Sequence, residues 1–323
     1  MSVTTLGIMN AHTEPRFVSS DASVLVFVNR LAGRGRVQAY FDRLRDLFES
    51  IHISAQFLET ASSSELESAS REALVRGHRL FLAMGGDGTF QALLNGTFPS
   101  DAIVGILPTG GGNDFAAALG LPGDLIRAAE RLLKGKPRSV DLLRVRTADG
   151  GARLFACGGG VGLDAEAAFL AGGPYRHLPG RFRYVASALR ALSEHQPLQV
   201  RLEFPGTEIH PVEAACLLTG VLNTPAYGGG IRLAPDALID DALLHVALVE
   251  DLKIVQIVKL LPRLMRSGEL RTARIRRWKA QSVKISTNRP CLFHGDGEIL
   301  GPTPVEIEVV PKAVRVLAPL AES

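Results

Sequence analysis

Cysteine is scarce in this chain of 323 residues. Its three cysteines, Cys157, Cys216 and Cys291, lie far apart and form neither a CxxC pair nor the spacing of a zinc site. This scarcity argues against a disulfide framework or a zinc-binding module. We expect buried thiols in a reducing compartment.

Long hydrophobic runs are also lacking. The first residues, MSVTTLGIMNAHTEPRF, contain no basic n-region and no sustained apolar segment, so no signal peptide is predicted. No stretch approaches the roughly 20 apolar residues of a membrane span, because Glu250, Asp251 and Lys253 interrupt the longest candidate. We expect a cytoplasmic protein that associates with a membrane peripherally and does not cross it.

Neither sign of charge dominates the chain. A net charge of +3 excludes a polycation for nucleic-acid binding, and 46% hydrophobic with 21% charged residues is the composition of a globular protein. The motifs of common hydrolases and P-loop enzymes are absent too, since there is no GxSxG, no HExxH and no GxxxxGK[ST].

What the chain does contain is an alternation of strand and helix patterns punctuated by glycine. Residues 1–21 are predicted to form a flexible arm. Apolar runs and helical periodicity then predict strands and helices in turn, at residues 24–28, 37–50, 53–59, 64–75, 79–83 and 102–107. This order, with short connections, indicates a Rossmann-like α/β domain over residues 22–140.

After about residue 140 the pattern changes to strands separated by Gly, Pro and Asn turns. We predict strands at residues 140–146, 153–159, 198–204, 213–221, 243–250 and 282–287, with helices near 180–194 and 252–266. A mostly antiparallel β domain over residues 141–305 fits these segments. The cleft between the two domains is where we expect a ligand.

Three glycine-rich turns, at residues 29–36, 85–89 and 108–114, each follow a predicted parallel strand. At that sheet edge, backbone amides and helix N-termini can hold phosphates, and Arg34 could add a positive charge. Taken singly, each turn is better explained by backbone geometry and helix capping. Three at one edge favour a polyphosphate. The glycines at 158–160 lack the strand–helix context of a dinucleotide site.

Acidic residues within these turns point to a metal. A carboxylate beside a phosphate is repulsive unless a cation lies between them, so Asp87 and Asp114 are predicted ligands, direct or through water, of a nucleotide's Mg²⁺. A second acidic group, Asp296 with Glu298, is by itself better explained as an Asp-Gly hairpin turn. His294 beside these acids matches no common metal spacing.

In this order and spacing, GGDGT (85–89), PTGGGND (108–114), YGGGIRLAPDALIDDALL (227–244) and DGE (296–298) resemble the diacylglycerol kinase catalytic-domain family. That family includes bacterial soluble lipid kinases and sphingosine and ceramide kinases, with NAD kinases as distant relatives. The resemblance spans roughly residues 22–318. It implies an N-terminal α/β domain, a C-terminal β-sandwich, a last strand (306–323) that returns to the first domain, and ATP between the domains.

The resemblance also implies roles for individual residues. Glu298 corresponds to the general base and Asp296 to its neighbour, while Asp241, with the carbonyls of Leu238 and Leu243, corresponds to a structural Mg²⁺ site. The residues expected to bind the nucleotide are Asn29, Gly33, Arg34, Thr60, Gly85, Gly86, Asp87, Gly88, Thr89, Phe90, Gln91, Gly110, Gly111 and Asn113. The chain departs from the family pattern at Arg30, Ala32, Gly111, Ala117 and Ala242.

The expected partner is a lipid at an anionic membrane surface. Basic residues mix with Leu, Trp and Tyr at residues 175–184 and 263–279, which suits such a surface, although a solvated charged face explains them equally. Nucleic acid is not expected. Asp164 could contact the lipid head group, or it could be a solvated loop acid.

Three functional classes stay open at this point: an ATP-dependent lipid kinase, which leads, an NAD-kinase-like enzyme with a soluble acceptor, and a non-catalytic lipid- or nucleotide-binding relative. The lipid alcohol could be diacylglycerol, ceramide, a sphingoid base or a phosphatidylglycerol-type lipid. The oligomeric state is open, a homodimer included.

Overall fold

The computed structural model describes residues 23–29, 37–175, 178, 180–194, 196–252 and 274–320. The predicted arm at 1–21 lies outside these residues, as do Arg30, Ala32, Gly33 and Arg34. So does the predicted helix near 252–266, apart from Leu252.

The N-terminal part is a parallel sheet with helices between its strands. Its elements are β1 (Ser23–Asn29), α1 (Val37–Ser50), β2 (Ser54–Thr60), α2 (Ser63–Val75), β3 (Leu80–Gly85), α3 (Asp87–Thr97), β4 (Ile103–Pro108), α4 (Asp114–Ala118) and α5 (Leu125–Leu133). The strands lie in the order β4-β3-β1-β2, all parallel. Every residue of β3 and β4 is buried, which explains their unbroken apolar sequences.

Side-chain caps define where two of these helices begin. Ser62 accepts a hydrogen bond from Glu65 N (3.1 Å), and the Glu65 carboxylate accepts one from Ala61 N (2.7 Å). Asp124 accepts from Arg127 N (3.0 Å) at the start of α5. Each cap satisfies amides that the first helical turn leaves without an intrahelical partner.

The C-terminal part is mostly antiparallel. Its elements are β5 (Lys136–Thr147), β6 (Ala152–Phe155), β7 (Gly158–Gly162), α6 (Leu163–Gly172), α7 (Gly180–Glu194), β8 (Leu198–Glu203), β9 (Val212–Leu222), β10 (Leu244–Glu250), β11 (Ile275–Ala280), β12 (Ser282–Thr287), β13 (Leu292–Gly295), β14 (Glu298–Pro302) and β15 (Val305–Ala318). The predicted fold class, an α/β domain joined to a β-sandwich, is confirmed. Among the described residues, no helix has the length and apolar character that a bilayer crossing requires.

One predicted strand is wrong in detail. Residues 153–159 do not form a single strand, because β6 ends at Phe155 and β7 begins at Gly158. In the gap, the backbone N–H groups of Ala156 and Cys157 donate hydrogen bonds to the Asp296 carboxylate instead of to a neighbouring strand. The helix α6, which contains Asp164, was not predicted.

A two-stranded ribbon joins the two parts. Strands β5 and β15 pair antiparallel from Val305↔Thr147 to Ala318↔Lys136, with a register shift between Val310 and Val314. Beyond that shift β15 pairs in parallel with β4. Along β5, Leu142 belongs to the N-terminal hydrophobic core and Leu143 to the C-terminal one. The two strands of the ribbon therefore run from the N-terminal hydrophobic core into the C-terminal one.

Asp141 fixes the ribbon at this crossing. Its carboxylate, 1% exposed, accepts hydrogen bonds from Ala242 N (2.6 Å) and Lys312 N (2.7 Å). Ala242 and Lys312 both have positive φ, 58° and 49°, a conformation that costs a side-chain-bearing residue free energy. The buried carboxylate thus holds two strained turns against β5.

Polar contacts on α3 and α2 dock the C-terminal part onto the N-terminal part. Asn95 exchanges hydrogen bonds with the backbone of Leu154, at 2.9 and 3.0 Å. Gln91 donates to Gly295 O (3.1 Å), and Arg153 forms a two-point ion pair with Glu67. These contacts fix the seam between the two cores.

Candidate active site

Two glycine turns meet at the edge of the parallel sheet. The turn after β3 and the turn after β4 touch through Gly86 and Gly110, since a Cβ placed on Gly110 would lie 2.6 Å from Gly86 Cα. Asn113 holds the second turn by accepting from Gly110 N (3.0 Å) and donating to Gly110 O (2.9 Å). Glycine is required here because two backbones come too close for a side chain.

Thr89 faces inward from the first turn of α3. Its hydroxyl accepts a hydrogen bond from Asn29 Nδ2 (3.1 Å), and its side chain fills the space where a Cβ on Gly85 would lie, 2.3 Å from Thr89 Oγ1. Thr60 is buried at the end of β2, in register with Asn29. The contacts of Thr89 with Asn29 and Gly85 fix the turn that opens α3.

Asp87 lies at the start of α3 and caps the next short helix. Its carboxylate accepts hydrogen bonds from Asp114 N (3.1 Å) and Phe115 N (3.2 Å), and Cys157 Sγ lies 3.6 Å away. Burial raises the pKa of Asp87, although the amide hydrogen bonds oppose that rise. The acid among three glycines therefore joins the two turns and contacts the segment between β6 and β7.

Asp114 follows in the second turn. It accepts a hydrogen bond from Gly229 N (2.8 Å), in the glycine turn between β9 and β10. Burial, and then the nearby Asp87 carboxylate, raise the pKa of Asp114 to about 6. A Cβ on Gly112 would lie 3.3 Å from the Asp87 carboxylate and 3.4 Å from that of Asp114, so the two acids flank one loop.

Asp296 lies in the turn between β13 and β14. Asp296 and Gly297 have φ values of 52° and 86°, as expected for an Asp-Gly hairpin turn. The Asp296 carboxylate accepts hydrogen bonds from three consecutive amides, those of Ala156 (2.7 Å), Cys157 (2.9 Å) and Gly158 (3.2 Å). Burial raises the pKa of Asp296 to about 7.

Glu298 begins β14 and points back at the N-terminal part. A Cβ on Gly88 would lie 2.8 Å from Glu298 Oε1, so this carboxylate faces the first turn of α3. Acids that are remote in sequence, at positions 87, 114, 296 and 298, are thus brought to one seam by two domains.

In the expected nucleotide loop, two residues have side chains that are buried and already in contact with other protein groups. Phe90 is fully buried and stacks on Phe115, with ring centroids 4.8 Å apart. Gln91 is buried and donates to Gly295 O. Neither side chain is therefore available to a ligand. Gly111 lies in the second glycine turn and is exposed.

The Asp241 region is separate from this seam. Its Oδ1 accepts from Leu243 N (3.1 Å), and its Oδ2 lies 3.4 Å from His245 Nε2. Leu238 is 58% exposed. Within the described ranges, no three His, Cys, Asp or Glu side chains lie close enough to hold a metal ion on their own, so the predicted metal site here stays a prediction.

Asp164 is not a solvated loop acid. It lies in the first turn of α6, where it accepts a hydrogen bond from Tyr227 Oη (2.6 Å) and lies 3.1 Å from His294 Nε2. Tyr227 and His294 were not predicted as functional residues. The signal available for them was their place within the YGGG and HGDGE segments.

The cysteine prediction is largely correct. No cysteine is disulfide-bonded; Cys157 and Cys216 are buried, whereas Cys291 is partly exposed. Burial, with Asp87 as the nearest charge, raises the pKa of Cys157 well above its ordinary value, which argues against a reactive thiolate at the seam.

In this site, glycine turns face a cluster of carboxylates across the two parts of the chain, and a family model matches each part. The diacylglycerol kinase catalytic domain matches residues 23–145, and the YegS C-terminal NAD kinase beta sandwich-like domain matches residues 160–318.

Curated relatives match between 76% and 91% of this chain. A diacylglycerol kinase of Mycobacterium tuberculosis (strain H37Rv) is 30% identical over 76% of this chain and 79% of its own. A Stenotrophomonas maltophilia protein named "Probable lipid kinase YegS-like" is 30% identical over 86% of this chain and 92% of its own. The diacylglycerol kinase of Bacillus subtilis (strain 168) is 25% identical over 91% and 95%. The chain therefore belongs to the family of bacterial diacylglycerol kinases and YegS-like lipid kinases, and the predicted enzyme class, lipid kinase, is confirmed.

Solved structures share the fold. A Bacillus anthracis (strain Sterne) diacylglycerol kinase structure superposes with a TM-score of 0.67 at 22% identity, covering 92% of this chain and 96% of that one. A second structure from the same strain gives a TM-score of 0.73 at 24% identity, covering 92% and 97%.

Proposed function

We propose that the protein transfers the γ-phosphate of ATP to a hydroxyl of a membrane lipid of the diacylglycerol, ceramide or sphingoid type. One observation carries this proposal: the carboxylates of Asp87, Asp114, Asp296 and Glu298 line a seam against two glycine turns. Backbone amides at such turns suit phosphates, and phosphoryl transfer needs positioning and charge neutralisation more than covalent chemistry.

The acids also fit Mg²⁺. Burial raises the pKa values of Asp87, Asp114 and Asp296, so a nearby cation would favour the ionised form of all three. The carboxylates of Asp87 and Asp114, which flank one loop, could supply part of a coordination sphere. That suits Mg²⁺, which keeps waters and phosphate oxygens as ligands and, when bound, neutralises charge on the phosphates. Asp87 and Asp114 would hold it, and Asp241 with the carbonyls of Leu238 and Leu243 is the proposed structural site.

The chain's own residues divide the remaining work. The turns at 85–89 and 108–114 would bind the phosphates through their amides, and Asp296 holds the hairpin that presents Glu298. Glu298 would accept the proton of the lipid hydroxyl at its carboxylate, since it reaches across the seam toward Gly88. The Asp296 carboxylate is occupied by three amides and is therefore a positioning group.

The test replaces the base without changing its shape. Glu298→Gln should lower turnover by about 10²–10⁴-fold, the usual worth of general-base catalysis, and should leave the Kd for ATP unchanged. Turnover is measured as label transfer from γ-labelled ATP to a total lipid extract, and ATP binding by calorimetry.

The matched control is Glu306→Gln on β15, which should behave like the wild type. If Glu298→Gln keeps wild-type turnover, Glu298 is not the base. A wild-type protein that labels NAD and no lipid would instead support the alternative of an NAD-kinase-like enzyme with a soluble acceptor. A wild-type protein that binds ATP or lipid and labels neither would support a non-catalytic relative.

We further propose a peripheral contact with anionic membrane from the cytoplasmic side. Strand β11 presents Arg276, Arg277 and Lys279 as exposed residues, and Arg276 stacks on Trp278 with 5.0 Å from its guanidinium carbon to the ring centroid. Cations beside an indole suit a lipid interface. Arg276→Glu should reduce flotation with vesicles containing anionic phosphatidylglycerol and leave flotation with neutral vesicles unchanged. Equal flotation of variant and wild type would remove β11 from the contact.

A further inference from the structure

A buried polar cluster lies behind the hairpin that carries Glu298. Tyr227 Oη donates to Asp164 Oδ2 (2.6 Å), and His294 Nε2 lies 3.1 Å from the same oxygen. The Tyr227 and His294 rings stack at 5.9 Å with an interplanar angle of 14°. Tyr227 is 6% and His294 4% exposed, so solvent does not compete for these contacts.

The hydrogen-bond roles of Tyr227 and His294 follow from their shared partner, the Asp164 carboxylate. A carboxylate in its ionised form only accepts hydrogen bonds, and we assign the donor role in this contact to His294 Nε2 on that basis. Burial, followed by the Asp164 charge, raises the pKa of Tyr227 well above its ordinary value, which keeps the phenol as a donor. The other oxygen of Asp164 accepts from Ala165 N (2.9 Å). Both Asp164 oxygens are therefore engaged within the protein.

The glycines of β7 make this arrangement possible. A Cβ on Gly159 would lie 2.1 Å from His294 O, and one on Gly160 would lie 2.4 Å from Asp164 Oδ2. β13 pairs directly with these glycines, as His294↔Gly160 and Gly295↔Gly159. Gly159 and Gly160 are thus explained by the approach of His294 and Asp164, without any nucleotide.

The cluster connects two structural elements at the seam. Asp164 belongs to the first turn of α6, whereas His294 lies two residues before Asp296 and four before Glu298 on the β13–β14 hairpin. On the hairpin's other side, Gln91 of α3 donates to Gly295 O. Glu298 therefore lies on a hairpin held from α3 and from α6.

We propose that His294 is a positioning residue that, clamped by Asp164 and Tyr227, sets the place of the Glu298 carboxylate relative to the first turn of α3. This inference rests on the proposed function, because it assumes that Glu298 accepts the proton of the acceptor alcohol. The working atom is Nε2. His294 Nδ1 is buried without a hydrogen-bond partner among the residues that the structure describes, so the contacts that hold the hairpin there do not involve it.

This difference between the two ring nitrogens defines the test. Gln places an amide N–H near the position of Nε2, whereas Leu fills similar space with no donor. His294→Leu should lower kcat by about 10–100-fold, because a misplacement of about 1 Å can cost 10²-fold, and should leave KM for ATP unchanged. His294→Gln should restore kcat to within about threefold of the wild type, since it keeps the hydrogen bond to Asp164. Thermal melting and γ-label transfer to lipid are measured for all variants.

Tyr227→Phe provides a second variant of nearly equal volume should His294→Leu not fold. It removes one donor to Asp164 and should lower kcat by about 3–10-fold, the effect of one hydrogen bond, with KM for ATP unchanged.

Wild-type kcat in both His294→Leu and Tyr227→Phe would overturn the inference. So would equal losses in His294→Leu and His294→Gln, since the imidazole would then be needed for something other than the Nε2 hydrogen bond. A wild-type protein that phosphorylates no lipid would overturn the proposed function instead, so the two failures are distinguishable.

Discussion

Asp114→Asn should stabilise the protein while inactivating it. The carboxylate is buried beside Asp87, and its pKa is raised from 3.8 to about 6. For an acid whose folded-state pKa is raised, the folded state binds the proton more tightly than the unfolded state. Stability is then fully present below the unfolded pKa and is lost as pH rises through the folded pKa.

The size of the effect follows from that change in pKa. At 1.36 kcal/mol for each pKa unit, the ionised carboxylate costs about 3 kcal/mol at pH 8, and about half of that at pH 5, where only the unfolded state is fully ionised. Asn carries no charge at either pH and keeps an oxygen for Gly229 N. The variant should therefore gain about 3 kcal/mol in unfolding free energy at pH 8 and about half that at pH 5.

The assay is urea unfolding of wild type and variant at both pH values, with EDTA and without nucleotide. Asp149→Asn is the matched control of opposite sign. Asp149 is exposed, and the Thr147 hydroxyl and the Gly151 amide lower its pKa, so its removal should not stabilise the protein at either pH. An Asp114→Asn variant that is less stable than wild type, or equally stabilised at pH 5 and pH 8, would refute the electrostatic reasoning.

Three further substitutions test separate contacts. Gly88→Ala should displace the Glu298 carboxylate by several tenths of an ångström, because the new Cβ would lie 2.8 Å from Oε1. It should lower kcat about tenfold in the label-transfer assay. The control Gly123→Ala, whose Cβ would have no atom within 4 Å, should leave kcat unchanged. Asp141→Asn should lower the unfolding free energy by about 1–3 kcal/mol, since one of two buried amides loses its acceptor; an unchanged urea midpoint would show that this carboxylate does not hold the ribbon. Ala242→Gly should raise the unfolding free energy by about 1 kcal/mol, because Gly tolerates φ of 58° without the side-chain cost; a lower urea midpoint than wild type would contradict this.

Much of the candidate site could be predicted because its residues lie in short sequence motifs. An acid among glycines, as at Asp87, is unusual enough to require an explanation, and the sequence order of the motifs gave the fold class. The structure adds a second role for Asp87, the cap of α4, which depends on two loops that are separate in sequence. Asp296 both forms the predicted Asp-Gly hairpin turn and lies at the seam between the two parts. The explanation as a turn and the explanation as a site residue therefore hold together at this position.

Other features could not be predicted from local patterns. Asp141 lies within VDLLRVR, and a charge in an apolar strand is a signal of a buried, paired group. Its partners are backbone amides about 100 and 170 residues further on, which no periodicity encodes. The break between β6 and β7 has the same origin, because the amides there are drawn to Asp296 from a distant hairpin.

The ribbon of β5 and β15 has a mechanical consequence. Two domains that are joined by a flexible linker can open about a hinge. Here such an opening would have to bend a hydrogen-bonded ladder that is anchored in both parts and held by the Asp141 carboxylate. We therefore expect the ribbon to resist opening of the two parts more than twisting about its own long axis. The distance between the two parts should then change little during turnover.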